Sequence, residues 1–294
     1  MNIVLGQSDL DIYLPENRIF PGGGALNISY HWRQLEVPFM LLTRIADDQP
    51  NYFLDFYERH GVPLMPASLI KQGKAGSSDI YIQPDGEVFM DNWIEGVGAG
   101  IELDVAEMTL ISRSEWLHAF LIDSVVGQLK RLTALGHLGT TGVSGDFFDF
   151  APFDLITFRE TMRYIDIGFI GWQKELTDET MVGIWAVARD LEKMLVVTLG
   201  SRGVMVYDGR PNSALPMQGD GLAEQFFAVE PVAVIGTTIG CGDAFAAYFL
   251  AEWLKTQDIS KAVSAGEMAG STATQWRRCL PDTAYGFAVG MRFL

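Results

Sequence analysis

Short apolar and β-branched runs alternate along the chain with segments of helical periodicity. The predicted strands are Ile3–Leu5, Phe39–Ile45, Thr141–Ser144, Tyr164–Ile170, Leu195–Leu199 and Ala228–Ile235. The predicted helices are Ala25–Leu35, Tyr52–His60, Asp178–Lys193, Asp243–Lys255 and Ile259–Gln275. This alternation predicts an α/β fold, in which helices cover both faces of a mostly parallel sheet. No repeat, low-complexity linker or composition shift divides the sequence, so we expect a single α/β domain over residues 1–294.

One stretch departs from the alternation. Ser78–Gln83 and Glu87–Met90 flank Pro84-Asp85-Gly86, a strong turn signal, and therefore predict a β-hairpin. Asp11–Phe20 reads as an extended neighbour of that hairpin. The strands within about 11–20 and 78–93 form either a lid that projects over a site or an ordinary surface hairpin, and the pattern favours neither.

Charge and hydropathy narrow the partners that we expect. Lys and Arg number 21 against 37 Asp and Glu, which gives a net charge of −16, and no basic run is present. Nucleic-acid binding is therefore not expected. No segment approaches the roughly 20 apolar residues that a membrane-spanning helix needs, so no membrane association is expected. An anionic ligand must be held by backbone amides and a metal ion rather than by bulk charge.

The cysteines and histidines give little sign of metal or disulfide chemistry. Two cysteines, Cys241 and Cys279, do not make a disulfide framework in a chain of 294 residues. The four histidines show no metal-ligand spacing, which argues against a metal-hydrolase site. We therefore expect a reducing, cytoplasmic compartment.

The candidate chemistry lies in Thr237-Thr238-Ile239-Gly240-Cys241-Gly242-Asp243, directly before an apolar helix. The glycines allow a tight turn, and the first amides of a helix lack intrahelical partners. The helix dipole adds positive potential there, so the segment predicts a pocket for an anion such as a phosphoryl group. No Gly-Lys-Ser or Gly-Lys-Thr follows, which excludes a Walker loop.

Asp243 has two interpretations on this local pattern. As a helix cap or first-turn acid it stabilises the helix by about 0.5–2 kcal/mol. As a general base beside an anion pocket it accepts the proton of an attacking hydroxyl, which contributes roughly 10²–10⁴-fold in rate. The local pattern by itself leaves both open.

This segment resembles the signature of the ribokinase-like (phosphofructokinase-B-type) carbohydrate kinases, Asp-Thr-x-Gly-Ala-Gly-Asp before a helix, which Thr238, Gly240, Gly242 and Asp243 match. The resemblance implies a three-layer α/β sandwich with a small β-sheet lid. It also implies ATP-dependent phosphorylation of a sugar or sugar derivative, with Mg²⁺ as cofactor. Asp243 is then the catalytic base, and the amides of Gly240, Cys241 and Gly242 form the anion hole. Homodimers formed through the lid are also consistent with this family.

Two further motifs agree with the resemblance. Gly22-Gly23-Gly24-Ala25-Leu26-Asn27 is similar to the family's glycine pair and Asn, which implies that Gly22, Gly23 and Asn27 contact substrate hydroxyls, and Asp11 matches the acid that holds the sugar. Val197-Thr198-Leu199-Gly200-Ser201-Arg202-Gly203 resembles the family's turn at the nucleotide phosphates and places ATP along Thr198, Gly200 and Gly203. Short matches at 10–15 and 93–96 are similar to the fructoselysine kinase branch.

Three positions depart from the family pattern and keep alternatives open. Thr237 replaces an Asp that helps to bind a monovalent cation, which puts potassium activation in doubt. Cys241 replaces Ala and is either a filler or a nucleophile. In the Asn-x-x-Glu metal motif Trp172 replaces the Asn, whereas Glu175 is kept as the metal-positioning acid. A weakly active or inactive relative that binds a sugar, and a nucleoside kinase, therefore remain alternatives.

Overall fold

The computed structural model describes residues 1–14, 16–83, 86–211, 213, 215–216 and 223–286. Its strands are β1 (Asn2–Leu5), β2 (Asp9–Leu14), β3 (Arg18–Gly22), β4 (Phe39–Leu42), β5 (Ile45–Ala46), β6 (Ile70–Lys71), β7 (Gly76–Ile82), β8 (Val88–Ile94), β9 (Trp116–Phe120), β10 (Gly142–Asp146), β11 (Ile167–Gly171), β12 (Met194–Thr198), β13 (Val204–Asp208) and β14 (Ala223–Phe227). Its α-helices are α1 (Gly24–Gln34), α2 (Pro50–His60), α3 (Pro66–Leu69), α4 (Val105–Ile111), α5 (Asp123–Ala134), α6 (Leu155–Met162), α7 (Glu179–Asp190), α8 (Cys241–Thr256), α9 (Ile259–Ala273) and α10 (Asp282–Tyr285).

Within the described residues, eight strands form the central sheet in the order β14-β13-β12-β11-β10-β9-β1-β4. The six strands from β4 to β12 in this order pair in parallel, whereas β13 and β14 are antiparallel. Short apolar strands of this kind are buried on both faces, because helices connect each strand to the next. The carboxyl ends of the parallel strands therefore meet along one edge of the sheet.

Side-chain alternation divides the interior between the two faces of the sheet. Val4 belongs to the apolar cluster under α1, α2, α8 and α9, whereas its neighbours Ile3 and Leu5 belong to the cluster under α4 to α7. The same alternation separates Val196 from Leu195 and Val197 on β12. The predicted α/β architecture with helices on both faces is thus confirmed.

A second sheet carries the strands that the hairpin signal predicts. Its order is β3-β2-β7-β8, with β2 parallel to β7 and the other two pairings antiparallel. The outer strand β8 exposes large apolar side chains, among them Phe89, Met90, Trp93 and Ile94. Part of the predicted turn, Pro84-Asp85, lies outside the described residues.

One predicted strand is wrong, and two others are divided. Residues 228–235 do not form a strand; their Val232 and Ile235 side chains are exposed, and Pro231 lacks the amide that a sheet ladder needs. The run has strand propensity but pairs with no described neighbouring strand. Phe39–Ile45 divides into β4 and β5, and Asp11–Phe20 divides into β2 and β3.

A buried ion pair stands at the break between β4 and β5. Arg44 donates to both carboxylate oxygens of Glu107, at 2.9 and 2.8 Å, and both side chains are buried. Glu107 also closes a capping box with Asp104 at the start of α4. The pair therefore anchors α4 to the edge of the central sheet.

None of the helices in the described part of the chain has the length and apolar character needed to cross a membrane.

Candidate active site

A cavity of about 790 Å³ lies over the carboxyl ends of the parallel strands. Phe120, Asp146 and Thr198 line it at the ends of β9, β10 and β12. Strands of the small sheet enclose the other side, where Asp9, Asp11 and Ser78 line the cavity together with Trp93. Ligands of open α/β sheets bind at this edge, because every parallel strand delivers a loop there.

The predicted anion turn lies at the mouth of α8 inside this cavity. Gly240 is the residue before the helix and has φ 77°, a left-handed conformation that favours glycine. The first intrahelical bond is donated by Ala244 to Gly240, so the amides of Gly242 and Asp243 have no partner within the helix. Cys241 N–H reaches only the carbonyl of Thr238, at 3.4 Å. The turn therefore offers amide donors and helix-dipole potential to an anion.

Asp243 shares the site with Asn27, which comes from α1. Asn27 Nδ2 donates to Asp243 Oδ2 at 2.7 Å across 216 residues of sequence. The two helices are also joined by the Trp32 indole N–H, which donates to the Ala247 carbonyl at 3.0 Å. Burial raises the pKa of Asp243 to about 6, and the Asn27 hydrogen bond opposes this rise. The carboxylate is thus oriented, and it is largely ionised at neutral pH while still basic.

Asp11 is the second predicted acid in the cavity. It lies on β2, and burial raises its pKa to about 7, with a further rise from the charge of Asp243. Gly22 on β3 packs against it so closely that a Cβ at Gly22 would overlap the Asp11 carboxylate. Gly23, at φ 89°, precedes α1 and also lines the cavity. The two glycines therefore let β3 pass beside Asp11 and deliver Asn27 to the site.

Only some of the residues predicted to bind the nucleotide and the metal line the cavity. Thr198 lines the cavity, whereas Gly200 and Gly203 shape the adjoining turn between β12 and β13, with φ 60° and 127°. Glu175 lies outside the cavity lining: its side chain is 86% exposed, and its carboxylate is 3.8 Å from Arg202. Trp172 is buried, and its indole N–H donates to the Glu175 carbonyl at 3.1 Å.

Thr237 and Cys241, the two residues of the turn that differ from the family pattern, have local structural roles. Thr237 is fully buried, and its hydroxyl accepts from Ile239 N–H at 3.3 Å. Burial raises the pKa of the Cys241 thiol to about 12, with a further rise from the charge of Asp243. The thiol is therefore protonated at neutral pH, which disfavours a nucleophilic role.

The sequence analysis missed several residues of the cavity. Asp146 ends β10, and burial raises its pKa to about 7, with a further rise from Asp243. Glu95, Asp123 and Cys279 also line the cavity. An acid that closes a parallel strand is a signal for Asp146, since such ends meet at the ligand edge. The sequence offers no comparable local signal for Cys279, which lies in the loop after α9.

The small sheet touches the anion turn directly. Thr238 N–H donates to the Gly86 carbonyl at 3.3 Å, which joins the β7–β8 connection to the start of the turn. Gly86 has φ 84°, and a Cβ there would press on Val234 and Gly236. The β7–β8 connection therefore lies against the turn at the mouth of α8, at one side of the cavity.

Comparison with known proteins agrees with this geometry. The pfkB family carbohydrate kinase profile matches residues 172–282. The chain is 26% identical over 277 residues to fructoselysine 6-kinase of Escherichia coli, covering 92% of this chain and 96% of that protein. It is 26% identical over 295 residues to a cytidine kinase of Thermococcus kodakarensis, covering 93% and 96%. The crystal structure of ribokinase from Thermotoga maritima superimposes with a TM-score of 0.69 at 18% identity, covering 94% and 93%.

Proposed function

We propose that this protein transfers the γ-phosphoryl group of ATP to a hydroxyl of a sugar or sugar derivative, because residues 172–282 match the pfkB family carbohydrate kinase profile and the chain has a ribokinase-like fold. The observation that carries this proposal is the meeting of Asp243, Asn27 and Asp11 in one cavity, at the mouth of α8. An anion site and an oriented base beside hydroxyl-binding groups are what phosphoryl transfer to an alcohol requires.

In the proposed mechanism the substrate hydroxyl lies between Asp11, Asn27 and Asp243. Asp243 accepts the hydroxyl proton while the oxygen forms a bond to the γ-phosphorus, and the bond from that phosphorus to the ADP oxygen breaks. The amides of Gly240, Cys241 and Gly242 stabilise the charge on the phosphoryl oxygens. Positioning and electrostatics supply most of the acceleration in such transfers.

Magnesium fits this cavity as an ion held largely by the ATP phosphates, since Mg²⁺ takes only one or two protein carboxylates in such sites. Within the described residues no group of three or more His, Cys, Asp or Glu side chains forms a metal site of its own. Asp146 is a suitable carboxylate, because it lines the cavity and is close enough to Asp243 for the charge of Asp243 to raise its pKa. The ion would neutralise phosphate charge. A metal role for Glu175 and activation by potassium remain predictions.

The charge of the cavity favours a neutral or cationic acceptor. The described lining contains no Lys, Arg or His, whereas its acids are Asp9, Asp11, Glu95, Asp123, Asp146, Asp149 and Asp243. A sugar that already carries a phosphate would be repelled at the acceptor end, because ATP occupies the amides at the mouth of α8. A sugar that is uncharged, or that carries an amine, suits the acceptor end of the cavity better. The name of the fructoselysine 6-kinase relative is in line with this.

A nucleoside acceptor is the second candidate. The likeness to a cytidine kinase supports it, and a nucleoside is neutral and offers ribose hydroxyls to Asp11 and Asn27. A weakly active or inactive sugar-binding protein is the third, since Trp172 replaces the Asn of the metal motif and is buried in the core.

The small sheet is proposed as a lid and as a dimer surface. It closes one side of the cavity, and the exposed apolar side chains of β8 form a patch of the kind that proteins cover by association. Sedimentation velocity on the wild type and on a Phe89→Glu variant tests the dimer, which the added charge should dissociate. A cytoplasmic location remains a prediction from the two free cysteines.

The experiment that tests the proposed function is a screen for ATP-dependent product over sugars, amine-bearing sugars, sugar phosphates and nucleosides, with and without potassium. Product with a neutral or cationic sugar is the expected result. Product with nucleosides alone would select the second candidate. Binding of a sugar without any product, together with intact folding, would select the third.

A further inference from the structure

The loop after α9 brings Cys279 against the acid that we propose as the sugar ligand. Cys279 Sγ donates to Asp11 Oδ2 at 3.1 Å across 268 residues of sequence. Both side chains are buried, Cys279 at 4% and Asp11 at 5% exposure. Burial raises the pKa of the Cys279 thiol above its ordinary value, so the sulfur keeps its proton and acts as a donor.

Two contacts fix Cys279 in this position. The Tyr13 hydroxyl lies 3.7 Å from Cys279 Sγ and accepts from the Cys279 backbone N–H at 3.4 Å. On the other side, a Cβ at Gly240 would overlap the Cys279 carbonyl oxygen, so the phosphate-binding turn packs directly on this backbone. The thiol is thus held between the substrate acid and the anion turn.

The hydrogen bond from the Cys279 thiol matters because of the other titratable groups around Asp11. Asp9 and Tyr13 face it from its own strand, Asp243 from α8 and Tyr285 from α10. Each of these four groups is an acid or a phenol. The nearby guanidinium of Arg278 is buried over the Tyr13 and Phe20 rings and is paired with Glu16 and Asp282. Burial and Asp243 raise the pKa of Asp11, whereas the hydrogen bond from Cys279 lowers it. A protonated Asp11 would lose one of its acceptor sites to the added proton.

We propose that Cys279 is a positioning residue, whose thiol holds Oδ2 of Asp11 so that the remaining acceptor sites of that side chain face a substrate hydroxyl. The same hydrogen bond lowers the pKa of Asp11 and so favours its ionised form. The inference rests on the proposed function, in which Asp11 binds the acceptor. Cys279 itself takes no part in the transfer of the phosphoryl group or of the proton.

The test compares Cys279→Ala, which removes the donor, with Cys279→Ser, which keeps one. Acceptor binding is measured by calorimetry without ATP between pH 6 and 9, and KM and kcat are measured for acceptor and ATP. For Cys279→Ala we expect acceptor affinity to fall about tenfold at pH 7, since a hydrogen bond to a charged group is lost. The loss should shrink at pH 9, where Asp11 is ionised in any case, and KM for ATP should not change. Cys279→Ser should recover most of the affinity.

Several results would overturn the inference. Equal losses in Cys279→Ala and Cys279→Ser that do not vary with pH would assign Cys279 to packing alone. If Cys279→Ala fails to fold, Cys279→Val takes its place, because it fills the space of the thiol and has no donor for Asp11; an acceptor affinity equal to that of the wild type at pH 7 would then count against the proposal. If the wild type binds no acceptor, the proposed function is overturned as well. If the wild type binds an acceptor but the affinity lost in the Cys279 variants does not depend on pH, only this inference is overturned.

Discussion

Replacing Asp243 with Asn separates chemistry from binding at this site. The amide has the shape of the carboxylate and retains an oxygen that accepts from Asn27 Nδ2, now 2.7 Å from Asp243 Oδ2. It removes the charge that raises the pKa of Asp11 and Asp146, so neither acid should become harder to ionise. Acceptor and ATP binding should therefore stay close to wild type.

Turnover should fall at least about a hundredfold in this variant, because a positioned general base contributes roughly 10²–10⁴-fold. This range corresponds to about 3–5 kcal/mol in the barrier. In the wild type, a pKa of about 6 leaves Asp243 mostly ionised at pH 7. Protonation removes the base, so kcat should be about half-maximal near pH 6 and level off above about pH 7.

The assay is ADP release coupled to a chromogenic reaction, at saturating acceptor and ATP, with calorimetry for both ligands. Asp55→Asn is the matched control, because it removes an exposed carboxylate on α2, away from the cavity. Turnover of Asp243→Asn within about tenfold of wild type, with binding intact, would refute the assignment of Asp243 as the base.

Three further predictions address the acceptor site, the anion turn and the scaffold. Gly22→Ala should raise KM for the acceptor roughly tenfold or more, with KM for ATP unchanged, because its Cβ would overlap the Asp11 carboxylate; steady-state kinetics check this, and an unchanged acceptor KM would contradict it. Cys241→Ala should retain turnover, since the thiol is protonated and only its backbone amide is proposed to act; loss of turnover in a folded variant would instead support a cysteine nucleophile. Glu107→Gln should lower the free energy of unfolding by about 3–5 kcal/mol, because it leaves the buried Arg44 charge without its partner; urea unfolding measures this, and a change below about 1 kcal/mol would refute it.

The anion turn could be predicted from the sequence, because its properties are local. Two glycines before an apolar helix dictate a tight turn and unpaired amides wherever that helix packs. The same holds for the glycines before Asn27 and for the alternation that predicts a parallel sheet. Local propensity failed at residues 228–235, because β-branched residues form a strand only where a partner strand accepts their hydrogen bonds.

Only the tertiary structure decided which of the predicted motifs and acids share a cavity. The bond from Asn27 to Asp243 and the bond from Cys279 to Asp11 join positions more than 200 residues apart, and both depend on how α1, α8 and the loop after α9 pack. Packing also decided that Asp146 faces the site and that Glu175 does not. Burial then set the pKa of each acid, because a charge is destabilised only once the folded chain excludes water from it. The sequence determined the local chemistry, and the fold determined which groups act together and in which ionisation state.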